Sequence, residues 1–353
     1  MEPKKRIRIK DIASKANVSI GTVDRVLHDR GEVNPATKEK ILKILEDMDY
    51  HPNILASTLA SKKIVSFAIL FPNPQSEESY WNKPMEGVRK AFNELQQFGI
   101  KISVFRFSQT EASSFVHEAR KILDGKFDGV VLAPFFSREA KNFIRELSLR
   151  NIPFVFIDSN LKECEKLSYV GQNSYQSGAL SARLLDFSIP GPASILILHF
   201  AKEMDNQNHL MQREKGFYEY FEQNDPEKQN TLITLEIENP TDKIFFSTID
   251  RLFSENQNIM GIFVTNSQVY RIAEYLEARN RADIRLIGHD LIRENAEYLK
   301  KGIVDFLICQ RPEEQGYQAV NALFEHVIMK KQVKNENFTS IDIVTKENLD
   351  YYK

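Results

Sequence analysis

Hydrophobic positions in the first fifty residues recur with the period of a helix; from Ile64 onward they gather instead into short apolar blocks. Ile12, Ala13 and Ala16 share one helical face, and Asn17 is suited to ending that helix. After a tight turn, Ser19 can cap a second helix in which Val23, Val26 and Leu27 fall at i, i+3 and i+4. Asp29-Arg30-Gly31 interrupts the pattern, and Asn34-Pro35 then supplies a cap and a first-turn proline for a third helix. Its core stripe is read as Ile41, Leu42, Leu45 and Met48. Three short helices joined by tight turns predict a helix-turn-helix unit.

In the remainder, apolar runs at Ile64–Phe71, Ile102–Phe107, Gly129–Ala133 and Phe154–Asp158 read as strands. Helical stretches at Val88–Gln97, Phe115–Leu123 and Ala140–Leu149 separate them. After Tyr169-Val170-Gly171 the alternation resumes, with strands at Ser194–His199, Leu232–Ile237, Gly261–Thr265, Arg285–Gly288 and Phe306–Cys309. Such alternation predicts parallel sheets built from right-handed crossovers. There are too many units for one small sheet, so an α/β body of two lobes is expected.

Parallel sheets bind ligands beyond the carboxyl ends of their strands. Those ends carry Asn73, Asp158, Asn173, Asn266, Asp290 and Gln310, with Tyr80 and Trp81 near the first. Taken singly, each is an ordinary cap or turn former. Their recurrence at one edge suits a polyhydroxyl ligand, because amides and acids bond hydroxyls and aromatic faces cover the apolar side of a sugar ring.

Charge changes the picture for the head. The 353-residue chain has a net charge of -2, yet residues 1–63 hold 13 Lys/Arg against 9 Asp/Glu and the rest hold 34 against 40. A basic head on an acidic body suits an anionic polymer at the head. No apolar run approaches the ~18 residues of a membrane span, and no apolar signal region follows the first residues, so a cytoplasmic protein without membrane association is expected. Cys164 and Cys309 are the only cysteines and lack a metal-ligand spacing.

Asp11-Ile12-Ala13, Ala16, Val18-Ser19, Thr22-Val23, Arg25-Val26-Leu27, Val33, Thr37, Tyr50-His51-Pro52-Asn53, Ala56 and Leu59-Ala60 together resemble, over residues 8–61 and without gaps, the DNA-binding head of LacI/GalR-family repressors. The resemblance implies that the second helix enters the major groove, with Ile20, Gly21 and Arg25 facing base edges and Ser19, Thr22, Thr37 and Asn53 lying towards phosphates. It also implies a hinge helix containing Ala56, whose Leu59 wedges into the minor groove where unstacking is exchanged for a bend. Ile20 and Gly21 depart from members that carry polar readers there, although a small apolar surface can meet a thymine methyl.

The body is similar to the periplasmic-sugar-binding-protein-like domain of the same repressors. Arg213-Glu214-Lys215-Gly216-Phe217 resembles the element whose arginine holds sugar oxygens, and Val264-Thr265-Asn266 and Ile287-Gly288-His289-Asp290 match strands that supply an Asn and an Asp. Asn173 stands where many members have Asp. The resemblance implies a helix-turn-helix domain at 1–52, a hinge helix and linker at 53–63, and an effector-binding and dimerisation domain at 64–353. Lobe one is placed at about 64–173 and 312–332, and lobe two at about 174–311 and 333–353.

The function expected is that of a dimeric, sugar-controlled repressor acting on double-stranded operator DNA, with no cofactor, metal or catalytic residue. The alternative is a cytoplasmic α/β enzyme acting on a sugar, but Gly-x-Gly-x-x-Gly, Walker, nucleophile-elbow and His-Glu-x-x-His patterns are missing from the sequence. His289 beside Asp290 is read as cleft lining rather than a base.

Overall fold

A computed structural model describes residues 7–27, 30–48, 50, 64–74, 76, 79–200, 207–225, 227, 229–238 and 241–352. Asn53, Ala56 and Leu59, and with them the 53–63 segment, lie outside the described residues. The chain divides into two compact units, Met1–Ala60 and Ser61–Lys353.

The first unit holds helices α1 (Ile9–Ala16), α2 (Ile20–Leu27) and α3 (Pro35–Asp47). Asn17 ends α1 in the left-handed conformation that asparagine tolerates. Ser19 Oγ accepts from the Thr22 amide at 3.1 Å and so caps α2, while the Asn34 side chain accepts from the Ala36 amide at 3.0 Å and Pro35 begins α3. Ile12, Ala13, Ala16, Val23, Val26, Ile41 and Ile44 close the core. The expected stripe on α3 is corrected here: Leu42 is exposed and Ile44 takes the buried place, because three residues from Ile41 return to the same helical face and one residue does not.

The second unit contains two six-stranded sheets. The chain first lays down β1 (Val65–Pro72), α4 (Asn82–Leu95), β2 (Ile100–Phe107), α5 (Ala112–Asp124), β3 (Gly129–Leu132), α6 (Ser137–Leu149), β4 (Phe154–Ile157) and β5 (Ser168–Gly171). It crosses to build α7 (Ser174–Ser188), β6 (Ser194–His199), α8 (Asn208–Asn224), β7 (Thr231–Glu236), α9 (Asp242–Glu255) and β8 (Ile259–Val264). α10 (Val269–Ala278), β9 (Arg285–His289), α11 (Arg293–Lys301) and β10 (Phe306–Cys309) complete that run. It returns for α12 (Pro312–Val327) and β11 (Glu336–Phe338), and ends in the second sheet with β12 (Asp342–Val344). The orders are β11-β5-β4-β3-β1-β2 and β12-β10-β9-β8-β6-β7, with parallel pairing except that β12 runs antiparallel to β10. Helices cover both faces, so β3 and β4 are buried at every position and read as unbroken apolar runs.

The third crossing falls later than 333. β11 pairs with β5, which places residues through Phe338 with lobe one. A three-residue edge strand with one half-buried position carries no apolar block to announce it.

In each lobe two helices meet through glycines. A β-carbon on Gly178 would lie 1.8 Å from the Arg213 carbonyl oxygen, and one on Gly216 would lie 2.0 Å from that of Tyr175. Only hydrogen side chains permit α7 and α8 to approach so closely. Gly87 and Gly316 play the same part between α4 and α12.

Buried side chains tie the three crossings together. Gln315 of α12 accepts from the Asp158 amide at 3.1 Å and donates to the Gln310 carbonyl at 2.9 Å. Thr339 donates to that same carbonyl at 3.1 Å, and Gln172 donates to the Cys309 carbonyl at 3.1 Å.

Candidate functional site

The carboxyl ends of both sheets face one cavity of about 440 Å³. Lobe one contributes Tyr80 and Trp81 after β1, Gln109 after β2, Phe135 and Phe136 after β3, and Asp158 after β4. Lobe two contributes Phe200 after β6, His209 and Arg213 from α8, Asn266 after β8, Asp290 after β9 and Gln310 after β10. The size lies within the roughly 300–1,000 Å³ of small-molecule sites.

Two acids meet there from opposite lobes. Asp158 and Asp290 directly follow the last residues of β4 and β9, and both adopt positive φ, 64° and 67°. That left-handed step, which a short acidic side chain tolerates, turns the chain out of the strand at the cavity edge. Asp158 Oδ1 accepts from the Tyr80 hydroxyl at 3.0 Å, and Asp290 Oδ1 accepts from Gln310 Nε2 at 2.9 Å. Burial pushes the Asp158 carboxyl up to about 6; the Arg213 charge opposes that rise and Asp290 adds to it. Asp290 is raised by burial too, against the pull of Arg213 and the Gln310 hydrogen bond. The Tyr80 hydroxyl is held well above its ordinary range by burial and by Asp158.

Arg213 is 2% exposed and anchors through Nη1 to the Thr265 carbonyl at 2.7 Å. Behind it, His199 Nδ1 and Thr265 Oγ1 lie 2.7 Å apart, and His199 Nε2 stands 3.4 Å from Glu214. Among the described residues, Arg213 Nε, His209 Nδ1 and Gln310 Oε1 are buried and find no hydrogen-bond partner. Such atoms each cost about 1–3 kcal/mol when left unmet, so a ligand with hydroxyl groups gains by meeting them. Burial and the neighbouring Arg213 lower His209 to about 3, so its ring is neutral at physiological pH.

Tyr80, Trp81, Asp158, Asn266, Asp290 and Gln310 from the strand-end pattern thus line one cavity, together with Arg213, which the resemblance singles out. Asn73 and Asn173 do not. Asn73 is exposed, with its backbone bonded to Phe107 and Gln109, and Asn173 caps α7 by accepting from the Gln176 amide at 3.1 Å. His289 is likewise not cleft lining. It is fully buried with its ring 5.7 Å from Phe263, because strand alternation sends it away from the face that Asp290 follows. Sequence reasoning missed His209, which the spacing i, i+4 to Arg213 on one helix would have revealed.

Arg213 and Asp290 belong to the same lobe, so an ion pair between them cannot be what fastens the two lobes together.

On the head, α2 presents an outward face that the core does not use. Ile20 is 55% exposed, Gly21 and Arg25 are exposed, and Arg25 Nε donates to the Gly21 carbonyl at 3.2 Å. Ser19 Oγ and Thr22 Oγ1 lie 2.9 Å apart at the start of that helix, and Thr37 sits half-buried in the first turn of α3.

A helical head and a two-lobed body with a cleft at the strand ends define a binding protein of the periplasmic type joined to a helix-turn-helix unit. A periplasmic binding protein domain matches residues 67–331, and the lacI family of bacterial regulatory proteins matches residues 8–53. The chain belongs to the LacI family: a Bacteroides fragilis protein described as a LacI transcriptional regulator is 33% identical, with the match covering 82% of this chain and 100% of that one at a TM-score of 0.76. The transcriptional regulator RegA of Clostridium acetobutylicum is 27% identical over 158 residues, 44% of this chain and 45% of RegA. The chain therefore matches about half the length of such curated relatives. GanP, a glucose-galactose binding protein from Geobacillus stearothermophilus, shares the fold at a TM-score of 0.72 with 23% identity, over 81% of this chain and 99% of GanP. Among the described residues no helix is long and apolar enough to cross a membrane.

Proposed function

We propose that the chain is a dimeric, sequence-specific transcription repressor whose hold on operator DNA is set by a small sugar bound between the lobes. The observation that carries this reading is the convergence of polar and aromatic side chains from both lobes on one cavity, in a chain that also bears a DNA-binding head. A ligand that bridges Asp158 and Tyr80 of one lobe to Arg213, Asn266 and Asp290 of the other favours one interlobe angle, and that preference is its means of control. The head distinguishes this reading from that of a cytoplasmic sugar-modifying enzyme.

On DNA, Ile20, Gly21 and Arg25 read base edges, with the Arg25 guanidinium suited to guanine. Ser19, Thr22, Thr37 and Asn53 position the phosphates, and Ala56 and Leu59 belong to the hinge, with Leu59 at the minor groove. Two copies on a pseudo-palindrome double a half-site into a full one. The test is footprinting on selected duplexes with and without a sugar panel. Operator affinity should change by about 5–150-fold with the effective sugar, the usual range of such coupling. Arg213→Ala should keep DNA binding and lose the response. Recovery of only asymmetric single half-sites, or a response retained in Arg213→Ala, overturns the reading.

A further inference from the structure

The charge of the cleft narrows the ligand, and this step rests on the sugar reading above. Among the described residues that line the cavity, four are acidic, Asp158, Glu238, Asp290 and Glu294, and one is cationic, Arg213. The acids sit at three depths. Asp158 and Asp290 are buried at the facing strand ends, Glu294 is half-buried in the first turn of α11, and Glu238 is exposed after β7. His209 adds no positive charge, since its ring is neutral at physiological pH. Arg213 carries the field for both deep acids at once, and its Nη1 is already committed to the Thr265 carbonyl.

We infer that the cleft takes an uncharged sugar or an amino sugar and rejects sugar acids and sugar phosphates. Hydroxyl and ammonium groups donate to the two deep carboxylates, whereas a carboxylate or phosphate on the ligand can only accept. An anionic ligand gains the Arg213 N–H groups that Thr265 does not hold, but it must draw the guanidinium charge from Asp158 and Asp290 and then lie beside both in a low-dielectric site. One positive charge does not offset repulsion from two buried carboxylates as well as neutralising them. The rest of the lining is neutral in the same sense: the Asn266 and Gln310 amides offer hydrogen bonds without charge, and Trp81, Phe135 and Phe136 offer ring faces to sugar C–H groups.

The experiment is calorimetric titration of the full chain at pH 7.5 with matched sets: hexoses, their 2-amino derivatives, their uronates and their 6-phosphates, and pentoses with their 5-phosphates. Within any ring configuration that binds, the uronate and the phosphate should bind at least about tenfold more weakly than the parent, and the amino sugar no more weakly than the parent. A uronate or phosphate that binds tighter than its parent sugar overturns the charge rule and leaves the sugar reading standing. If sugars of every charge fail to bind, the sugar reading falls, and this inference with it. Asp290→Asn should narrow the gap between parent and uronate. Glu294→Gln, at a half-exposed position, should narrow it by a smaller factor that vanishes at high salt. A gap unchanged in both variants refutes the assignment to these acids.

Discussion

Asp158→Asn should make the protein more stable at neutral pH while weakening its ligand. An ordinary aspartate has a pKa of 3.8, and burial in the cleft lifts this one to about 6. Two pKa units correspond to about 3 kcal/mol between protonation states. The sign follows from proton counting. Between pH 4 and 6 the folded chain holds a proton on Asp158 that the unfolded chain has lost, so stability falls as pH rises through that window. Above about pH 6 both states are ionised, and the full penalty of about 3 kcal/mol remains. An asparagine carries no charge to desolvate, and its amide oxygen can still accept from the Tyr80 hydroxyl at the 3.0 Å seen for the acid. The variant also gives up the attraction between the Asp158 carboxylate and the Arg213 charge, which offsets part of the gain. The net expectation is about 1–3 kcal/mol at pH 7.5, read as a higher urea midpoint with unchanged slope. At pH 4.5 wild-type Asp158 is protonated in the folded state, and the difference should largely close. Taking the variant minus wild-type difference at each pH removes the contribution of titrating groups that do not interact with Asp158. A variant less stable than wild type at pH 7.5, or a difference that is the same at both pH values, refutes the argument.

Gly178→Ala should destabilise by about 1–3 kcal/mol, since the new methyl meets the rigid carbonyl of Arg213, and this outweighs the roughly 1 kcal/mol by which a helix prefers alanine; a raised urea midpoint would sink the close-approach account. Gln315→Met strips a partner from both the Asp158 amide and the Gln310 carbonyl and should cost about 2–5 kcal/mol in the same assay, with a loss under 1 kcal/mol contradicting it. Ile20→Ala removes a side chain that is 55% exposed and should change head stability by no more than about 0.5 kcal/mol while lowering operator affinity in a gel-shift titration. Equal loss of both would place Ile20 in the fold rather than at the DNA.

Helical and parallel-strand periods are strong where burial is complete, which is why α1 to α3 and the central strands were legible before any coordinates. Leu42 and Ile44 show where that legibility stops: the periodicity reads the stripe through Leu42 and past Ile44, and packing against α1 and α2 buries Ile44 and leaves Leu42 exposed. β11 and β12 carry three residues each, and their pairing comes from the return of the chain rather than from any local preference. At the cleft, Asp158, Asp290 and Gln310 could be placed because position at a strand end is a property of topology. Asn173 has the same address and a different task, since its carbonyl oxygen satisfies the first turn of α7. His209 escaped because it lies on a helix, where no strand-end rule points.

The ties among the three crossings determine how the lobes can move. Three independent connectors would let two bodies slide, twist and bend in several directions. Here the Gln310 carbonyl is held from α12 by Gln315 and from the third crossing by Thr339, while Gln172 of the first crossing holds the adjoining Cys309 carbonyl. Cross-braced in this way, the connectors act as a single axle, and rotation about it is the freedom left to the lobes. The side chain of Gln310 reaches from that axle to Asp290 in the cleft. A molecule that grips Asp290 or Gln310 therefore pushes at the pivot, where a displacement of a fraction of an ångström is magnified in proportion to distance by the time it reaches the outer ends of the lobes.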